Sequence, residues 1–205
     1  MVQIEQAFYE IEDFPELQNL SEKWDIIKKE FLELKAPVMD VHRIDKAHED
    51  VFTEVHNQVL AGKQYGWVQG WGAGKDGNIN WIQYGLVLNG KKIPFVNNEM
   101  QNTIDLLLNI DGINAAALLK LKPHTVLHTH NHPDIREKNA LQMHLPLQTI
   151  DVENYNYLNV MGEFRQYQEG IPIVFDGALN HFAMNESRYN RTTLYIEFDK
   201  EKLMR

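Results

Sequence analysis

The residues in this chain best suited to chemistry are its histidines. There are nine of them and no cysteine, so any bound metal must be held by imidazole and carboxylate without thiolate. Three fall at alternate positions in HTVLHTHNHPDIRE: His128, His130 and His132. A strand over this segment puts all three on one face, with neighbours about 6–7 Å apart at Cα. Imidazoles at that spacing can converge on one metal ion, whereas burying them with no shared partner is costly. A solvated, His-rich edge strand is the plainer alternative. His181 follows the turn Asp176-Gly177 and opens the strand-like run HFAMN. Further on, Arg191 opens RTTLYIEF. A guanidinium stays charged, so on a buried strand it must meet an anion or reach solvent. Bidentate capture of a carboxylate suits it, with surface exposure as the alternative.

Hydropathy patterning outlines the elements that must position these side chains. Leu17, Leu20, Trp24, Ile27, Phe31 and Leu34 alternate at spacings of three and four, one continuous helical stripe ended by Pro37. Val41, Ile44, Val51, Val55 and Val59 mark a second helix that stops at Gly62. WIQYGLVLNG reads as a strand entering a turn, and NNEMQNTIDLLLNI as a third helix with Asn98 and Gln101 in capping-box spacing. From about residue 113 come short runs rich in strand formers, among them INAAALLKLK, NYLNVMG, IPIVF and TTLYIEF, separated by Pro, Gly, Asn or Asp. Such runs suggest a β-sandwich or barrel. Helices first and strands later, without regular alternation, predict an α+β fold. The expectation is a single domain over 1–205, with a helical part over roughly 1–62 and a β-barrel core over roughly 63–205.

Composition narrows the function classes. With 205 residues, 43% apolar and 24% charged, the chain can build a packed core and is not disordered. A net charge of −9 argues against nucleic-acid or anionic-membrane partners. No apolar run approaches the roughly 18 residues that cross a bilayer, and the acidic start MVQIEQAFYEIEDF has no signal-like core, so a cytoplasmic location is expected. Gly70-Trp71-Gly72-Ala73-Gly74-Lys75-Asp76 superficially suggests a phosphate loop. It lacks the glycine spacing and the hydroxyl residue after Lys75, and is read as a turn. Asn185-Glu186-Ser187 and Asn190-Arg191-Thr192 are chance matches to a glycosylation pattern if the chain is not secreted. Trp67, Trp71, Trp81 and Tyr84 are candidates for pocket lining, with core packing as the alternative.

Together the two histidine segments resemble the cupin-barrel pattern, His130-Asn131-His132 then Glu137 in the first half, and His181 then Asn185 in the second. More specifically, the sequence resembles the aspartyl/asparaginyl β-hydroxylase family of iron(II)- and 2-oxoglutarate-dependent dioxygenases. The resemblance begins at FPELQNLSEKWDIIKKEFLEL, runs through INAAALLKLKPHTVLHTHNHP and LQMHLPL, and ends in EGIPIVFDGALNHFAMNESRYNRTTLYIEF. It implies a double-stranded β-helix (jelly-roll, cupin) core with N-terminal helices packed outside. It further implies Fe(II) and 2-oxoglutarate as cofactors, and an amino acid, small acid or peptidyl side chain as substrate. By position, His130 matches the proximal iron ligand and His181 the distal one. Arg191 matches the arginine that pairs with the distal carboxylate of 2-oxoglutarate, and His144 a histidine near its other carboxylate.

Three departures from the family pattern stand out. His132 replaces a Gly or acidic residue, which makes His130, His132 and His181 a candidate metal set; a slipped triad of His132, Asp134 and His181 is the alternative. Gln142 stands where the family has an arginine facing the cosubstrate, with Arg136 as a candidate replacement for the lost charge. Leu119 stands where a serine helps to hold the distal carboxylate. These departures keep open a three-His cupin dioxygenase that does not use 2-oxoglutarate, and a non-catalytic cupin that binds a small molecule.

Overall fold

Strand-forming residues that alternate between apolar and polar need two different environments, one on each face of the sheet. A computed structural model of the chain describes residues 5–71, 77–96, 98–150 and 152–205 and shows both environments. The first part runs β1 (Phe8–Tyr9), α1 (Pro15–Ser21), α2 (Trp24–Glu33), α3 (His48–Leu60), β2 (Val68–Trp71), β3 (Gly77–Leu88) and β4 (Lys91–Lys92). It continues with α4 (Gln101–Leu108), β5 (Ile113–Leu121), β6 (Thr125–Val126), α5 (Pro133–Glu137) and β7 (Ala140–Gln148). The remainder is β8 (Asn156–Val160), β9 (Glu163–Gln166), β10 (Ile173–Phe175), β11 (His181–Asn185), β12 (Arg191–Asp199) and α6 (Lys200–Leu203).

The larger sheet has the order β1-β10-β7-β12-β5-β3-β2, with β4 on β3, and the smaller one β6-β11-β8-β9. The named strands pair antiparallel throughout. The two sheets enclose a barrel interior and the helices lie outside, an α+β jelly-roll of cupin type. Among the described residues no helix is long and apolar enough to cross a membrane.

Strand β7 is buried along nearly its whole length because both its faces are covered. Leu141, Met143, Leu145 and Leu147 join Leu194, Ile196 and Phe198 of β12 in a core closed by the helices, through Leu17, Ile27, Phe31, Ile104 and Leu107. The opposite face turns into the barrel, where Leu121, Leu158, Val160, Phe175 and Ala183 form a second core. Burial of each such large side chain stabilises the fold by about 1.5–3 kcal/mol.

Several elements differ from expectation. The N-terminal helix is two helices, because Ser21 Oγ donates to the Gln18 carbonyl at 2.7 Å and the chain turns through Glu22 and Lys23. The apolar stripe nevertheless persists, with Leu17, Leu20, Ile27 and Phe31 buried. The second helix starts at His48 rather than near Val41, since Asp45 takes a left-handed φ of 58° that breaks a helix. The third helix is not capped by Asn98 and Gln101. Instead the buried Glu30 carboxylate of α2 accepts from the Asn102 and Thr103 backbone N–H groups and from both side chains, at 2.6–2.9 Å. The N-terminal part is not purely helical either, because β1 adds a strand to the edge of the large sheet at β10. Gly70 and Trp71, which open the phosphate-loop look-alike read as a turn, instead end strand β2 and pair with β3, while residues 72–76 lie outside the described residues.

Candidate metal centre

The first histidine segment is not the continuous strand its alternation predicts. Strand β6 ends at Val126, and pairing resumes as one isolated bridge between His130 and His181. His130 N donates to the His181 carbonyl at 2.9 Å and His181 N to that of His130 at 2.8 Å. His132 N donates to the Gly177 carbonyl at 2.9 Å, which anchors the third histidine to the turn that precedes His181. Helix α5 then begins at Pro133, whose missing N–H is no loss at a first helical position.

The outcome is a cluster of three imidazoles. One ring nitrogen from each of His130, His132 and His181 lies within 4.8 Å of the others. The ring centroids of His130 and His181 are 4.3 Å apart, and His132 is 5.2 Å and 5.4 Å from them. His130 Nδ1–H donates to the His128 carbonyl at 2.7 Å and His181 Nδ1–H to the Leu179 carbonyl at 2.8 Å. A carbonyl can only accept, so both rings carry hydrogen on Nδ1 and present Nε2 as the ligand atom, the arrangement metal-binding histidines use. Burial, reinforced by the neighbouring His130, pulls the His181 imidazole down to about 3, so it is neutral at ordinary pH. Nitrogen ligands sit about 2.0–2.1 Å from an ion such as zinc. Three imidazole nitrogens gathered within 4.8 Å of one another are a donor set that fits a divalent metal.

The structure separates the other candidates from this cluster. His128 is exposed and contributes its carbonyl rather than its ring. Asp134 is exposed, and its carboxylate accepts from Lys138 at 3.0 Å, so the slipped triad does not form. Glu137 is likewise exposed on α5 and outside the group. Arg136 faces outward to Glu5 at 2.9 Å and does not replace the charge missing at Gln142.

Gln142, His144, Arg191, Thr193, Tyr195 and Glu197 line the inner face of β7 and β12, where Tyr195 pairs with His144 and Glu197 with Gln142. His144 is buried, and its Nδ1 lies 2.7 Å from the Tyr167 hydroxyl. Burial holds its imidazole well below the usual value, and the charge of Arg191 adds to that. Arg191 is only 3% exposed and lies against the Tyr167 ring, 4.3 Å from its centroid. Among the described residues no carboxylate pairs with it, and its Nε has no hydrogen-bond partner. Burial therefore lowers its affinity for the proton, and the nearby Tyr167 partly offsets this. Gln142 Nε2 donates to Tyr195 Oη at 3.0 Å. A Cβ on Gly177 would fall 2.4 Å from Gln142 Oε1, so a larger residue in this turn would displace the amide.

Tyr167, Tyr195 and Thr193 are site residues that the motif reading missed. The alternation of RTTLYIEF signals two of them, because residues 193 and 195 share the face of Arg191. Nothing in the sequence marks Tyr167. Of the aromatics proposed for a pocket, Trp67 and Tyr84 belong to the helix-side core and Trp81 packs against the barrel core. The Trp71 side chain lies outside the described residues.

Among solved structures the chain is similar to a predicted oxalate decarboxylase from Thermotoga maritima, at 12% identity and a TM-score of 0.40 over 64% of this chain and 89% of that one. It is also similar to a cupin 2 conserved barrel domain protein from Salinispora arenicola, at 12% identity and a TM-score of 0.38 over 62% and 82%. No curated protein sequence matches it. A sequence profile described as Aspartyl/Asparaginyl beta-hydroxylase matches residues 21–201, a span that holds all three clustered histidines and Arg191. The chain therefore belongs to the aspartyl/asparaginyl β-hydroxylase family.

Proposed function

We propose that this protein is a cytoplasmic iron(II)- and 2-oxoglutarate-dependent dioxygenase that hydroxylates an amino acid, a small acid or a peptidyl side chain. The carrying observation is that a buried guanidinium with no carboxylate partner among the described residues shares the barrel interior with three converging imidazoles. Charge supports the reading. A divalent ion on three imidazoles keeps its full charge, and Arg191 adds another. An interior that positive calls for a dianion, and 2-oxoglutarate is one, with a chelating 2-oxo acid at one end and a carboxylate at the other.

Iron(II) with 2-oxoglutarate and dioxygen supplies oxidative decarboxylation coupled to C–H hydroxylation. The chain's own residues do the rest. His130, His132 and His181 hold the metal, and their Nδ1 bonds to backbone carbonyls fix the rings of His130 and His181. Arg191 takes the far carboxylate in a charge-assisted bond. His144 stays neutral, and when Tyr167 donates to its Nδ1, its Nε2–H faces the interior as a donor. Gln142, tied to Tyr195, offers a neutral amide at the near end. Phe175 and Leu179 keep this part of the interior dry.

The test is succinate release by anaerobically purified, iron-loaded protein given 2-oxoglutarate and a panel of amino acids in air. Release that requires both iron and 2-oxoglutarate, and that Arg191→Met abolishes, is the expected result; unchanged decarboxylation in that variant would refute the assigned role. One observation favours a second reading. His132 sits within the ligand group while Gln142 is uncharged, as in a three-His oxygenase that uses no 2-oxoglutarate. Oxygen uptake without succinate would favour that reading.

A further inference from the structure

We propose that this protein forms a two-fold dimer in which strand β9 pairs with the β9 of a second copy and joins the two small sheets into one. The proposal concerns the outside of the barrel and does not depend on the cosubstrate. Strand β9 ends the small sheet, and among the described residues no strand pairs with its free edge. All four of its residues, Glu163–Gln166, are exposed. The other end of that sheet, β6, has only two residues and offers far less backbone to a partner.

The hydrogen bonds of β9 fix how a partner must lie. Leu158 stands opposite Arg165 and Val160 opposite Glu163, and on the same register Tyr167 N donates to the Asn156 carbonyl at 2.9 Å. Along an antiparallel strand, backbone groups turn alternately to one neighbour and the other. Those of Glu163, Arg165 and Tyr167 therefore face β8, and those of Phe164 and Gln166 face outward. Side chains alternate as well. Leu158 and Val160 belong to the barrel core, so Glu163 and Arg165 share that side, and the Arg165 guanidinium lies 4.5 Å from the centroid of the Phe8 ring. Phe164 is on the outer side and 53% exposed, with Phe182 at 6.0 Å and Tyr157 at 6.4 Å.

An antiparallel copy with its two-fold axis at Phe164 matches each of these features. The outward N–H and C=O of Phe164 exchange bonds with those of the other copy. The two Phe164 rings meet on the outer face and continue the aromatic row that Phe182 begins. Glu163 of each copy falls opposite Arg165 of the other, an opposite-charge pair across the strands. Charges on an edge strand usually keep a second copy away. Here they flank the axis residue with opposite signs, so this register turns them into attraction. Moving the axis one residue either way sets Glu163 against Glu163 or Arg165 against Arg165, so the charges also select the register. Within one chain Arg165 keeps its guanidinium on its own strand, with Nη2 3.9 Å from the Glu163 carboxylate and Nη1 donating to the Phe164 carbonyl at 3.2 Å. Both are exposed contacts that a partner strand replaces in kind.

The experiment is sedimentation equilibrium of the full chain in about 0.15 M salt, where the net charge of −9 on each copy is screened beyond about 8 Å. A reversible monomer–dimer equilibrium is expected, with a Kd on the order of 10 µM for so narrow a seam. Glu163→Arg and Arg165→Glu each set like charges across the axis and should raise the Kd about tenfold or more. Making both changes together restores opposite charges and should return the Kd to within about threefold of wild type. Phe164→Thr remains a strand former but loses the ring contact, and should weaken the dimer about tenfold. Circular dichroism should show every variant folded as wild type. A wild-type chain that stays monomeric up to about 200 µM, well above that Kd, would overturn the inference. So would a dimer that both single reversals leave intact, or one that the joint exchange fails to restore.

Discussion

On β12, Leu194, Ile196 and Phe198 point toward the helices and meet only apolar neighbours, while Arg191, Thr193, Tyr195 and Glu197 on alternate positions point into the barrel. β7 repeats the division, with Leu141, Met143, Leu145 and Leu147 on one side and Gln142 and His144 on the other. The helix-side face is complete in itself, because each side chain finds its partner within the chain. Among the described residues the barrel face holds a buried guanidinium whose Nε has no hydrogen-bond partner, a buried Thr193 hydroxyl without one, and three imidazoles gathered within 4.8 Å. Stability is concentrated on the first face and chemistry on the second, although the same strands build both.

Mutation of the two faces should therefore give opposite results. Phe198 is fully buried and meets the edge of Phe14 at 5.2 Å. Phe198→Ala should cost about 3–5 kcal/mol in denaturant unfolding while metal stoichiometry in the folded fraction stays unchanged. A pH series tests the barrel face. The His181 imidazole has a folded value of about 3, against an ordinary 6.5, and His144 moves in the same direction. Between those values the unfolded chain binds more protons than the folded one, so stability is complete above about pH 6.5 and falls as pH drops toward 3. The slope for the metal-free protein should reach about 1.4 kcal/mol per pH unit for each histidine. Replacing both histidines should flatten that slope.

Smaller effects sharpen the contrast. Glu30→Ala uncaps α4 on the helix side and should cost about 1–2 kcal/mol by chemical unfolding, with no change in ligand binding. Arg191→Met removes a buried charge that no carboxylate among the described residues pairs with. Its ligand-free stability should stay within about 1 kcal/mol of wild type or rise, while the melting-temperature gain on adding 2-oxoglutarate disappears. A large loss of ligand-free stability in Arg191→Met would mean that the guanidinium is satisfied within the chain and that the division of labour is wrong.

Much of the barrel face was legible in the sequence because it depends on residue types that are expensive to bury. His130, His181 and Arg191 could be singled out from chemistry and order and His144 from the family resemblance, and the structure brings them into one interior. What escaped reading depends on contacts between distant segments. Glu30 caps a helix some seventy residues further along, which no local window could show. Tyr167 matters only because folding lays its ring under Arg191 and its hydroxyl beside His144. His128 shares the alternation of its neighbours, yet its ring is excluded because the chain leaves the strand after Val126 and its backbone carbonyl takes the Nδ1–H of His130.

The most direct test is an anaerobic iron(II) titration of wild type, His132→Ala and the double variant His130→Ala/His181→Ala, each shown to be folded by circular dichroism. One ion per wild-type chain is expected, with affinity at least tenfold weaker in His132→Ala and none bound in the double variant. A wild-type chain that takes up no iron, or a double variant that still holds one ion, would contradict a metal centre shared by these three histidines.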